Sequence, residues 1–120
     1  MIFRIHAKLN VFNSMEREKF ALFHVGQRVR HKLFEYRGVV FNVDAVFSGD
    51  DDWYEHVARS RPPKDAPWYH VIPSGEQHTT YVAERNLEAD LSTESCEHPL
   101  MPTLFGDVTD DGYVPREKPN

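Results

Sequence analysis

Gln27-Arg28-Val29-Arg30-His31-Lys32-Leu33-Phe34-Glu35-Tyr36-Arg37-Gly38-Val39-Val40-Phe41-Asn42-Val43 is the stretch on which the fold turns. Its first half alternates polar and apolar residues, the pattern of a strand with one face buried and one in water. Val39, Val40, Phe41 and Val43 near its end are β-branched or aromatic, the side chains that suit a pleated, half-buried surface. Between the two halves, Glu35-Tyr36-Arg37-Gly38 allows a turn or a sharp bend. A glycine inside a strand pattern points to a bulge or a close backbone approach. The whole reads as an antiparallel hairpin.

On the C-terminal side, residues 45–67 form one long connection. Ser48-Gly49-Asp50-Asp51-Asp52 is a loop with a ready helix N-cap, and Trp53–Ala58 has room for one or two helical turns after an acidic start. Arg61-Pro62-Pro63-Lys64-Asp65-Ala66-Pro67 suits neither helix nor central strand, because proline fixes φ and removes a donor. Long connections of this kind are usually functional or mobile. Trp68–Ile72 and His78–Ala83 are aromatic and β-branched strands around a Pro73-Ser74-Gly75-Glu76 turn, a second hairpin, and Glu84–Leu87 can close as a helical turn. Beyond it the chain is acidic and broken by Pro99, Pro102, Gly106, Gly112, Pro115 and Pro119, a tail lying along the domain through Leu100, Met101, Leu104 and Phe105. On the N-terminal side, residues 1–20 carry no clear period and read as a leader, flexible or extra. Met15 is a candidate alternative start. The expected organisation is therefore a leader at 1–20, a β-domain at 21–90 and a tail at 91–120. Its fold class is all-β, a small barrel with one long loop and an extended acidic C-terminal tail.

The chain is 120 residues and 14.0 kDa, room for one modest core and no more. No apolar run approaches the ~20 residues of a spanning helix, and the N-terminus lacks a secretory apolar segment. Cys96 is the only cysteine, so no intrachain disulfide forms, and a reducing, cytoplasmic setting is expected. The formal net charge of −5 argues against a protein that coats nucleic acid by bulk charge. That charge is unevenly spread. Residues 1–40 hold eight bases and three acids (+5), residues 41–85 four and eight (−4), and residues 86–120 two and eight (−6).

Catalytic patterns are absent from the sequence. It has no Gly-x-Ser-x-Gly elbow, no glycine-rich phosphate loop and no dinucleotide fingerprint. Glu94 and Glu97 disfavour a Cys96 thiolate. His31, His56, His70, His78 and His98 lie too far apart for the close ligand pairs of a zinc site, and no metal or other cofactor is expected. What remains is the basic strand. If 27–33 is extended, Arg28, Arg30 and Lys32 share one face at about 6–7 Å spacing, and Arg37 continues the line. Such a stripe can touch phosphates, while Tyr36, Trp68 and Tyr69 can stack on bases. The bland alternative is a solvated strand face whose cations deter edge pairing.

Four blocks together resemble one family. They are Gly26–His31, Tyr36–Asp44, Lys64–Val71 and Tyr81–Leu87, in that order and spacing. They resemble the HspQ family, also called YccV-like or hemimethylated DNA-binding, over about residues 22–88. Asn42 and Ala45 stand where that family usually has Asp and Pro. The resemblance implies an SH3-like β-barrel and a small bacterial heat-shock protein with no enzymatic activity. It implies two partners: hemimethylated DNA, which the few phosphate contacts of the stripe would bind weakly and salt-dependently, and the Lon protease, which such a protein serves as specificity factor and substrate. It also implies self-association into a homo-oligomer. The expected nucleic-acid surface is Arg28, Arg30, His31, Lys32, Tyr36, Arg37, Trp68 and Tyr69.

Overall fold

Strand β4 (Arg37–Asp44) is the spine of the molecule, described here in a computed structural model for residues 3–5 and 19–116. Strand β3 (Arg28–His31) pairs with it antiparallel on one side and β5 (Trp68–Pro73) on the other. Strand β6 (Thr80–Ala83) continues beyond β5, and β7 (Leu87–Ala89) lies outside β3. The sheet order is β6-β5-β4-β3-β7. A 3-10 turn at Glu84–Asn86 carries the chain from one edge strand to the other. Two small antiparallel pairs flank this sheet: β1 (Phe3–Ile5) with β2 (Lys19–Ala21), and β8 (Phe105–Thr109) with β9 (Gly112–Pro115).

Both expected hairpins form. Gly38 makes the close approach its position demanded, since a Cβ there would sit 2.6 Å from the Ile72 carbonyl oxygen. The irregularity in β4 falls a little later, between Val40 and Asn42. The long connection carries helix α1 (Asp51–Val57), capped by Asp50, whose carboxylate accepts the Trp53 N–H at 2.7 Å.

One core cluster joins Val29, Val40, Tyr69, Val71, Val82 and Leu87, side chains of β3 to β7, so the sheet curls around it. The closed barrel expected from the strand count is not made: no ladder joins β6 to β7 among the described residues. The 3-10 turn spans that gap in place of strand pairing.

The C-terminal third differs from an extended tail. After β7 it runs back across the sheet and forms a short helix α2 (Met101–Leu104) and the β8–β9 hairpin. Cys96, Met101 and Phe105 are buried against Val39 and Ile72, on the other side of the sheet from the first cluster. The hairpin is locked on by two glycines. Tyr113 N–H donates to the Gly26 carbonyl at 2.8 Å, and Gly26 (φ 94°) and Gly112 (φ 121°) pass so close that a Cβ on Gly26 would overlap the Tyr113 backbone and one on Gly112 the Gly26 backbone. The expected leader contributes Phe3–Ile5 as β1 and Lys19 and Phe20 to β2, which pair antiparallel. The Met15 start lies outside the described residues.

Candidate nucleic-acid interface

Strand β3 ends at His31, and that ending breaks the expected stripe. His31 N–H donates to the Tyr36 carbonyl and Glu35 N–H to the His31 carbonyl, so Lys32–Glu35 is a turn and Lys32 leaves the face shared by Arg28 and Arg30. Those two cations are separately engaged. The Arg28 guanidinium lies over the Tyr113 ring, 5.0 Å from its centroid, beside a cavity of about 500 Å3 between β3 and the β8–β9 hairpin. Its Nε is buried without an acceptor. Arg30 faces Arg37 directly across the β3–β4 ladder, a like-charge pairing that costs stability unless it is neutralised. Four carboxylates do so. Glu35 and Glu88 bind Arg30 at 2.9 and 2.8 Å, while Asp90 and Glu94 lie 3.5 and 3.7 Å from Arg37.

The expected stacking residues are mostly core. Trp68 and Tyr69 are 1% and 0% exposed. The Trp68 indole donates to the Pro63 carbonyl, and the Tyr69 hydroxyl to Glu84 at 2.6 Å. Burial, then that bond to a carboxylate, pushes the Tyr69 hydroxyl far above the ordinary tyrosine range. Neither ring offers a face to a nucleobase in this conformation. Tyr36 is half-buried with its hydroxyl on Thr80 at 2.7 Å.

His31 is buried as well, and it builds the turn. Its Nδ1 accepts the N–H groups of both Leu33 and Phe34 at 3.1 Å, so that nitrogen carries no proton. Burial lowers its pKa, keeping the ring neutral. The ring packs between Phe34 (centroids 4.7 Å apart, near-parallel) and Tyr36 (5.2 Å). Lys32, Leu33, Phe34 and Glu35 are all exposed, Phe34 to 75% and Leu33 to 56%.

Lys32 has no ion-pair partner among the described residues, and it shares a hollow with Arg85 of the 3-10 turn. Arg85 reaches the Ser60 carbonyl and meets no carboxylate among the described residues. Arg59, next to Ser60, is exposed and likewise unpaired. Glu84, also at this hollow, is held by the Tyr69 hydroxyl and the Leu22 N–H. Among the described residues, Lys32 and Arg85 are thus two cations without a carboxylate at one hollow, by the end of β3 and the 3-10 turn, while Arg116, exposed after β9 and donating to the Pro102 carbonyl, is another such cation elsewhere. Of the expected residues, Lys32 alone belongs to that hollow. Arg59 and Arg85 went unseen because their neighbourhood is set by the packing of residues 58–64 onto the 3-10 turn.

His70 Nε2 and the Tyr81 hydroxyl both meet Asp44 Oδ2, at 3.0 and 2.7 Å, a hydrogen-bonded cluster on the sheet. Burial, more than the neighbouring acids, raises the Cys96 thiol. No three metal-ligating side chains come together among the described residues. No helix among them is long and apolar enough to cross a membrane.

Comparison with known families places this arrangement. The family model for the YccV-like group, described as hemimethylated DNA-binding protein YccV like, matches residues 21–112. The match runs from the last residue of β2 to the first of β9 and so includes the C-terminal segment packed on the sheet. It takes in well over half of the sequence, and the chain belongs to the YccV-like family.

Proposed function

We propose that this protein binds duplex DNA through the surface formed by Lys32, Arg59 and Arg85. The observation that carries the reading is the set of cations left without carboxylates around the β3–β4 turn, in a chain of a DNA-binding family. Arg28, Arg30 and Arg37 are already engaged within the fold and add little. Three phosphate contacts give weak, salt-sensitive affinity, as suits an acidic protein. The sheet order and its curl around one core support the finer reading of an SH3-like barrel closed by packing. Gel retardation with a short duplex at 50 mM salt is the test. The wild type should retard it, and Lys32→Ala/Arg85→Ala should weaken binding at least tenfold for every sequence tried. Absence of any retardation by the folded wild type rejects the reading.

A second reading is service to the Lon protease as specificity factor and substrate. It is favoured by the acids Asp107, Asp110 and Asp111, exposed on the β8–β9 hairpin where a basic protein surface can dock. In a reconstituted degradation assay, unchanged substrate turnover and full survival of this protein would count against it.

A further inference from the structure

The β3–β4 turn is built in a way that solvent alone does not explain. Two large apolar residues, Leu33 and Phe34, stand at its tip with their side chains in water. The turn has no glycine, yet Glu35 holds φ 60°, a left-handed conformation that is costly for a residue with a Cβ and recurs at functional sites. What holds it is His31, whose buried Nδ1 accepts both tip N–H groups and whose ring backs the Phe34 ring face to face. The Phe34 side chain is therefore pre-oriented, with one face covered by His31. Arg30 takes up the charge of Glu35, the one acid in the turn. Lys32 precedes the apolar pair, and Arg85 lies across the hollow.

We infer that Leu33 and Phe34 are the methyl-reading element of the DNA surface, and that Lys32 and Arg85 seat the phosphates beside it. This rests on the DNA-binding reading above. The major groove of B-DNA, about 12 Å wide, admits a two-stranded β-ribbon, and a methyl on adenine N6 projects into that groove. An apolar side chain held in place meets such a methyl without ordering cost, whereas a charged one cannot distinguish it from its absence. Burying one methyl corresponds to about fourfold in affinity, so the tip acts on preference while the cations act on strength.

The test uses three duplexes of one sequence, carrying an N6-methyl on neither, one or both strands, with the full chain at two salt concentrations. The wild type should prefer the singly methylated duplex over the unmethylated one about fourfold or more. Phe34→Ala should bring that ratio near one while keeping the salt dependence of binding. Leu33→Ala should lower it partly. Lys32→Ala should show the opposite signature, weaker binding to all three duplexes with the ratio kept. Phe34 is exposed, so its replacement leaves the fold standing, which a thermal melt checks. A ratio unchanged by Phe34→Ala and Leu33→Ala overturns the inference and assigns the tip to a protein surface. If the wild type binds no duplex at all, the DNA reading itself fails.

Discussion

His31 is the residue on which the turn depends, and its titration follows from that duty. Its Nδ1 is occupied by two N–H donors, so a proton there would evict both. Burial lowers its pKa below the ordinary 6.5 in the folded chain. The unfolded chain then binds more protons around that value, and stability falls as pH falls through 6.5 toward the folded-state pKa. Above 6.5 the contribution is complete. The slope from this one group is at most about 1.4 kcal/mol per pH unit. His31→Asn retains an oxygen acceptor for the turn and does not titrate. Urea unfolding at pH 7.5, 6.5 and 5.5 should therefore show a flatter pH profile for the variant, even where its stability at pH 7.5 is lower. Equal slopes in both proteins would show that His31 does not titrate as its burial requires. Tyr69 behaves in the same spirit. Its hydroxyl donates to Glu84 and accepts the Phe23 N–H at 3.3 Å, tying β5 to the 3-10 turn and to the segment after β2. Tyr69→Phe orphans that buried N–H and should cost about 1–3 kcal/mol in the same assay.

Among the elements, the C-terminal hairpin tests how far the domain extends. Gly112 at φ 121° lies where a Cβ would come within 2.3 Å of the Gly26 carbonyl oxygen, itself the acceptor for Tyr113 N–H. Gly112→Ala cannot be absorbed by a flexible side chain, because backbone is in the way. It should destabilise the whole molecule by about 2 kcal/mol and lower the melting temperature by roughly 10 °C. A tail merely resting on the domain would leave the melting temperature unchanged. Strands β3 to β6, α1 and the 3-10 turn were legible in the sequence, since period, cap and turn residues are local signals. Residues 91–116 were not, because Cys96, Met101 and Phe105 follow no period and sit among acids and prolines. Their burial depends on Val39 and Ile72, far away in the chain. The site divides likewise. The basic residues were visible, but Glu88 lies 58 residues from Arg30 and Asp90 lies 53 from Arg37, so their neutralisation was not. Alternation also put Lys32 on the stripe, and that assignment failed where the strand stopped at His31.

For the whole molecule, a net charge of −5 and affinity for a polyanion are reconciled by separation. Lys32 and Arg85 lie at the His31 end of β3, and the acidic β8–β9 hairpin packs at its Gly26–Arg28 end. The three residue steps from Arg28 to His31 span about 10 Å of strand between the two ends. That exceeds the ~8 Å Debye length at physiological salt, so the acids there repel DNA only feebly, while at 10 mM salt the screening length grows to about 30 Å. The cations in contact act differently, because each releases a counterion from the duplex. Three of them give a slope near −2.7 for log affinity against log salt, a fall of about 40-fold between 50 and 200 mM. Asp107→Asn/Asp110→Asn/Asp111→Asn should therefore raise affinity at 10 mM salt and leave it nearly unchanged at 150 mM. Lys32→Ala/Arg85→Ala should instead bring the slope close to −1. Fluorescence anisotropy across a salt series distinguishes the two. A slope unaltered by loss of Lys32 and Arg85 would move the DNA contact off this end of the sheet, whatever the net affinity.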